Sequence, residues 1–352
     1  MTQRIKPLTA TYFKTIIILL VVFKLAFLVV TPKASCETIY VNETGWVKGG
    51  IFHPSSTPIS SAVANASNGD EIVIRDGVYH DNVNVDISVT IHSENGSSRC
   101  FVYAANKNRN VFSLSSSNSS VIGLSIVGAN NKAGIRIEYA ENCTIRDNVI
   151  WDCNDGIYIR GPKSKPSKCN RIINNTIYNN EIGIKLSGKG CKISNISNNE
   201  IYNCNEGLTL IHANMNIIQR NNIHNNTCGI CLKNADENKI THNYIHENKL
   251  GINLTKIGNG NSKNNSIAYN NILNNTWNIY NNQNIIAIAK NNYWGLLTNE
   301  SIDSKIYDDD ENSSIGKIVF YPFLTNSAPI QEVRTVLLLV IGLLLLTIAK
   351  RM

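Results

Sequence analysis

Five rings recur in the sequence: Trp151, Tyr178, Tyr202, His224 and His246, separated by 27, 24, 22 and 22 residues, each directly after an isoleucine. Rings held in one outward column could present apolar faces to sugars. β propensity and ring-on-ring packing select the same pattern with no ligand at all. The column is therefore a candidate carbohydrate-contact ladder, with plain structural stacking as the competing reading.

Catalysis would need carboxylates brought beside one another, or beside Arg or His, on adjacent turns of the chain. Asp147, Asp152 and Asp155 fall in one unit with Arg136 and Arg160 as neighbours, whereas Glu181 and Glu206 come later and in other columns. A lyase or two-carboxylate glycosidase arrangement has room around Asp152, but no motif forces it. No catalytic residue is assigned. His224, His246 and nearby His242 raise the question of a metal, which needs three or four converging ligands with supporting hydrogen bonds. Two stacked histidines do not supply them, so neither metal nor cofactor is expected. Asp308, Asp309, Asp310 and Glu311 lack EF-hand alternation and read as a solvated acidic turn rather than a calcium loop.

Eight cysteines follow Cys36. Cys153 and Cys204 share a column but are separated by an intervening unit, nearly 10 Å by strand spacing, too far to bridge. Cys228-x-x-Cys231 has no second pair and spans a Gly, so neither zinc nor a redox motif is favoured. Most of the cysteines read as small buried or corner residues, weakly hinting at a reducing habitat.

The elements that must position these residues follow from a repeat. Ile150, Ile177, Ile201, Ile223, Ile245 and Ile272 are equivalent; two residues earlier stand Asn148, Asn175, Asn199, Asn221, Asn243 and Asn270, and five earlier Ile145, Ile172, Ile196, Ile218, Ile240 and Ile267. Six residues later come Gly156, Gly183, Gly207, Gly229 and Gly251, with Asn278 in the last unit, each followed by Ile or Leu. The short apolar stretches alternate with period two between Asn-rich turns, so they read as strands. A unit of this length cannot bury its own apolar face and must stack on its neighbours.

The result is a parallel β-helix, right-handed by the general preference for right-handed parallel crossovers. The Asn column is expected to be structural, a ladder at a corner where Asn itself takes the left-handed conformation. The Gly column is expected to mark a second sharp corner. Segments 161–170 and 255–265 are insertions at one phase of the repeat, where binding loops can sit. Thr57-Pro58 starts a short capping helix with Ile59, Ala62, Val63 and Ala66 on one face.

The run ISSAVANASNGDEIVIRDGVYHDNVNVDISVTI, the N-x-I and G-I repeats and NNYWG at 291–295 resemble pectin-lyase-like right-handed β-helix proteins. In particular, the chain resembles the NosD-like, carbohydrate-binding and sugar-hydrolysis (PbH1) repeat group, over roughly residues 38–325. The resemblance implies the fold and raises copper as a thought. It leaves activity open, since this fold hosts lyases, hydrolases, epimerases, adhesins and proteins without catalysis.

The net charge of +7 lies at the ends. Residues 1–36 carry five basic side chains and residues 331–352 three basic and one acidic, leaving 33 − 8 = 25 basic and 26 − 1 = 25 acidic in the body. A neutral body makes no electrostatic case for nucleic acid. The basic head and apolar run from Ile16 to Val30 read as a secretory signal or uncleaved anchor. Thr335–Ala349, flanked by Arg334, Lys350 and Arg351, reads as a membrane helix with its basic tail inside. Sequons such as Asn42, Asn65 and Asn253 permit glycosylation without requiring it.

The expected architecture is thus all-β, a right-handed parallel β-helix with a short N-terminal capping helix, plus terminal hydrophobic helices. Its segments are a signal or signal anchor (1–36) and a β-helix (37–325) with cap (about 50–95), rungs (about 96–290) and closing segment (about 291–325). A linker (326–332) and transmembrane helix (333–350) follow. The expected role is that of a membrane-anchored surface protein, its body extracellular and its tail cytoplasmic, binding a polysaccharide or cell-envelope glycan without catalysis. The alternative is an extracellular polysaccharide lyase, hydrolase or epimerase. No nucleic-acid partner is expected, and the oligomeric state is open.

Overall fold

The computed structural model describes residues 36–329. The expected signal segment before Cys36 and the expected membrane helix at 333–350 lie outside the described residues. Three long sheets, of 12, 9 and 10 strands, wrap a single core as a right-handed parallel β-helix. Each coil contributes one strand to each sheet, for example Arg171–Ile173 to sheet A, Thr176–Tyr178 to sheet B and Ile182–Ser187 to sheet C.

Register follows the repeat. Ile145 pairs with Ile172 and Ile172 with Ile196 in sheet A, Ile150 with Ile177 and Ile177 with Ile201 in sheet B, and Ile157 with Ile184 and Ile184 with Leu208 in sheet C. All of these side chains are buried. The period-two alternation aims each of them into the core, because a one-residue slip would expose the whole set.

The Asn column forms a buried ladder, but its residues are not the left-handed ones. Asp147, Asn174, Asn198, Arg220, His242 and Tyr269, each one position earlier, hold φ between 56 and 59°. Each ladder amide then donates back to a carbonyl of the preceding coil, as Asn199 does to Ile172 at 2.9 Å and Asn221 to Ile196 at 3.0 Å. With the turn stapled by its neighbour, the left-handed position tolerates Arg, His and Tyr despite its cost.

Two further ladders occupy the other corners. One runs through Asn180, Asn226, Asn248 and Asn275, with Cys153 and Cys204 standing in for Asn; the other runs through Asn170, Asn216, Asn238 and Asn265. The spacing of five residues between Asn170, Asn175 and Asn180 is one strand plus one corner.

The glycine column is also corrected. Gly156, Gly183, Gly207, Gly229 and Gly251 lie inside strands of sheet C, not at a sharp corner. A Cβ on any of them would sit 2.5 to 2.7 Å from the carbonyl oxygen of the aligned residue on the next coil. Close coil-to-coil approach, not backbone conformation, excludes a side chain there. Asn278 takes the place in the last coil, where its Oδ1 accepts from Asn275 at 3.0 Å and ends that ladder.

At the N-terminal end, the helix Pro58–Ala64 buries Pro58, Ile59, Ala62 and Val63 against the first coils. Thr57 makes no side-chain cap; the buried Asp81 carboxylate accepts from the Ser60 backbone at 2.9 Å instead.

Candidate functional site

Sheet B carries the ring column. Strand pleating puts each isoleucine inward and the next residue outward, and register aligns Trp151, Tyr178, Tyr202, His224, His246 and Leu273. Successive ring centroids lie 5.6, 5.1, 5.1 and 5.0 Å apart, with planes inclined by 5, 11, 2 and 15°. The structure thus unites all five residues singled out in the sequence. Burial raises the Tyr178 and Tyr202 pKa values and, with the neighbouring His224, lowers that of His246, which favours uncharged rings.

Near-parallel stacking has a geometric consequence. Each ring face inside the column is covered by the next ring, so the column presents edges to solvent and open faces only where it is interrupted.

Such an interruption exists. His80 and Tyr103, with centroids 5.5 Å apart, continue the column on earlier coils, and the register runs His80, Tyr103, Val127, Trp151. From His80 to His246 every aligned position except Val127 carries a ring. A cleft of about 560 Å³ opens there, lined among others by His80, Tyr103, Lys107, Asn130 and Asp152. With its amide turned to satisfy its neighbours, Asn130 donates to the Gly128 and Asp152 carbonyls at 3.1 Å each. The sequence reading missed Tyr103 and His80 because Val102 and Tyr79 replace the guiding isoleucine. The 24-residue step from 103 to 127 to 151 was the signal that could have found Tyr103.

The carboxylates separate. Asp152 reaches the cleft, Asp147 pairs with Arg146, Glu181 accepts from Asn205 at 2.8 Å, and Glu206 pairs with Lys233. Asp155 turns instead to the outer side of sheet C, where charge gathers beside the insertion at 161–170. Tyr158 lies between Arg136 and Lys185, at 5.1 and 4.9 Å from its ring centroid, and Lys185 reaches Asp155 at 3.5 Å. Glu138 accepts from both Arg136 and Arg160, while Lys165 of the insertion stands 5.4 Å from the Tyr139 ring. Burial raises the Asp155 carboxyl above its ordinary pKa, and Lys185 only partly offsets it. Burial also pushes on Glu138, but hydrogen bonds from Arg160 and Arg136 outweigh it and hold that group low.

His242 stacks on Tyr269 at 5.8 Å, apart from the His224–His246 pair. Cys153 and Cys204 remain unbridged. Cys228 and Cys231, for which the sequence reading favoured no redox motif, are joined in a disulfide. Positions three apart across the column glycine share one side of the strand, as Glu206 and Thr209 show with a 2.6 Å hydrogen bond on the preceding coil.

Residues 93–309 match the family described as periplasmic copper-binding protein (NosD). The chain belongs to this family. A comparison with curated proteins gives no match. Among solved structures, the chain is similar to Geobacillus virus E2 ORF18 (16% identity, TM-score 0.59, covering 83% of this chain and 62% of that one). It is also similar to the Dettilon tailspike protein gp208 (16%, 0.52, 80% and 59%) and to pectate lyase Pel9A (14%, 0.52, 84% and 77%). The chain spans about three fifths of the length of the two viral proteins. At these identities the likeness shows the shared fold.

The described residues do not fit the copper of the family description. The group of three close candidate ligands among them is Asp308, Asp309 and Asp310, a hard oxygen set unlike the imidazole and sulfur donors copper prefers. His224 and His246 turn ring nitrogens to Asn225 and Asn222, at 3.0 and 3.1 Å.

Proposed function

We propose that the protein is a cell-envelope β-helix that binds a glycan through the cleft in the ring column and does not turn it over. The observation that carries this reading is the cleft at the break in the column, where Val127 takes the place of a ring and His80 and Tyr103 line the wall beside Lys107, Asn130 and Asp152. A few polar groups beside open aromatic faces is the make-up of a sugar site. The family's periplasmic description supports a body outside the cytoplasm. The apolar runs at the two ends support export and a C-terminal anchor with its tail inside; no helix among the described residues is long and apolar enough to cross a membrane.

The test is a glycan array probed with the full-length protein in detergent, beside Tyr103→Ala, which removes a ring that lines the cleft. Binding to a defined glycan that Tyr103→Ala weakens supports the reading. Absence of any glycan binding sinks it.

A second reading, a polysaccharide-processing enzyme, is favoured by one observation: a carboxyl with a raised pKa, Asp155, set beside Lys185 and Arg136. Such poise suits acid–base chemistry. Product analysis on array-positive glycans separates the two: cleavage or epimerisation lost in Asp155→Asn would replace the first reading by the second.

A further inference from the structure

We infer that the outer face of sheet A lies on a lipid bilayer, with the solenoid axis parallel to the membrane and the apolar side chains of that face entering the headgroup layer. The inference rests on the reading of 335–349 as a C-terminal anchor and goes beyond it, because an anchor alone fixes neither face nor orientation.

Sheet A presents two outward columns. Register carries one from Thr90 to Ser266 and the other from His92 to Ala268 over eight adjacent strands, about 34 Å at the usual strand spacing. Neither column holds an acidic side chain, whereas sheet B carries Glu200 outward and sheet C carries Glu138, Asp155 and Glu206. The cations of the two columns are Arg146, Arg171 and Lys239, and Arg146 is paired with Asp147 at the corner. Ile122, Ile173 and Ile217 stand among them, Ile217 being 37% exposed. An acid-free mixture of bases and isoleucines suits anionic headgroups above acyl chains.

Both ends continue the face. Before His92 its column runs through Val73, Tyr40 and Val47 to Phe52, with Tyr40 39% and Phe52 46% exposed. Past Ala268, Ala289 takes the inward place of Ile267, one ladder step on from Asn270 to Asn292. Ile288, 56% exposed, therefore turns outward, beside Val319 on the last strand.

The exit of the chain brings the bilayer to this face. Ala328 and Asn271 exchange hydrogen bonds of 2.7 and 3.2 Å, two residues past Tyr269, the left-handed corner between sheets A and B. From Pro329 the six residues to Thr335 span about 20 Å at most, so the anchor holds the last coils at the membrane surface. A body held there meets the bilayer along its length by lying down, and sheet A is the face that does so without desolvating carboxylates. Sheets B and C then face the medium, which leaves the cleft open to a glycan.

The experiment uses the full-length protein in vesicles of phosphatidylcholine with a minority of phosphatidylglycerol. With the exposed Cys36 and the half-exposed Cys169 replaced by Ser, a fluorophore is placed at Phe52→Cys, at Ile217→Cys and, on sheet C, at Ser187→Cys. Lipid carrying a shallow spin label should quench the first two about twofold or more beyond the third. Arg171→Glu with Lys239→Glu should remove about half of that excess. Quenching at Ile217 without Phe52 means that the solenoid stands on its last coils and overturns the lengthwise contact; equal quenching at all three overturns the choice of face. Fluorophores at Ile217 that pair between copies, without quenching, put a second copy in the bilayer's place. If alkaline carbonate strips the protein from the vesicles, the anchor reading falls and this inference with it, while the glycan reading stands.

Discussion

The side-chain nitrogen of Asn175 donates to the side-chain oxygen of Asn199 at 3.0 Å, and the Asn175 backbone nitrogen donates to that same oxygen at 2.9 Å. One buried oxygen thus satisfies two donors of the coil before it, and the pattern repeats from Asn199 to Asn221 and from Asn221 to Asn243. Corner groups that no sheet reaches find their partners in this way.

Replacing Asn199 by Ala leaves the buried Asn175 backbone N–H without its acceptor, takes one of three acceptors from the Asn175 side-chain nitrogen, and deletes the bonds from Asn199 to Ile172 and Asn221. We expect a loss of about 2 to 3 kcal/mol, measured by urea unfolding. Asn199→Asp should cost more at pH 7 than at pH 4, because an ionised carboxylate at this depth lacks a countercharge. A loss under 0.5 kcal/mol for the alanine variant, the usual scale of a surface change, would show that the ladder is not a stabilising element.

Gly207→Ala tests close approach. Its Cβ would meet the Gly229 carbonyl at 2.7 Å and the Ile223 side chain at 3.1 Å. Backbone must move, so we expect destabilisation of about 1 to 3 kcal/mol, read as a lower melting temperature. At a glycine held only by chain entropy the same change would stabilise, so a stabilised variant contradicts the crowding.

The columns were legible in the sequence because stacking makes each coil copy its neighbour's environment: an inward position stays inward, and Ile150, Ile177 and Ile201 record it. What is not copied stayed hidden. The ladder of the Asn column was legible in the repeat, but the left-handed position was assigned from the habit of Asn and falls one residue earlier. The Gly column was read from the habit of Gly at corners, and the deciding fact there was a contact between coils, such as Gly183 against Gly207. The ring cleft escaped for the opposite reason: a site made by an absence, Val127 among rings, leaves no motif. Asp155 could be placed in a unit but not on a face, because the strand step at Gly156 shifts outward positions by three.

Thiol chemistry gives a further check. Burial pushes Cys100 and Cys191 up to about 12, and Cys143, Cys153 and Cys204 up to about 11. The thiolate is the reactive form, so at pH 8 these five should resist iodoacetamide in the native protein and react once urea unfolds it. Cys228 and Cys231 should react only after reduction. Mass spectrometry of the labelled peptides decides; native labelling of the five at the unfolded rate would contradict their burial.

Asp70 ties the N-terminal cap together. Its buried carboxylate accepts from the backbone nitrogens of Glu37 at 2.9 Å and Ser67 at 2.8 Å, with Lys48 at 3.4 Å. Burial works against the charged form, yet these donors and the lysine charge outweigh it and hold the pKa below the ordinary value. A group whose folded pKa is depressed contributes stability that is complete above its unfolded pKa, about 3.9 for Asp, and is lost as pH falls through the folded value. Asp70→Asn cannot accept the same set of bonds at full charge, so at pH 7 we expect the cap to open more easily by about 1 to 3 kcal/mol. That difference should shrink as pH drops below about 4, because the parent loses the same charge. Hydrogen exchange of the Thr38–Asn42 and Glu71–Ile74 amides, followed from pH 3 to pH 7 after correction for intrinsic rates, reads the opening where it happens. A difference between parent and variant that stays constant across this range would show that the carboxylate's charge does not hold the cap.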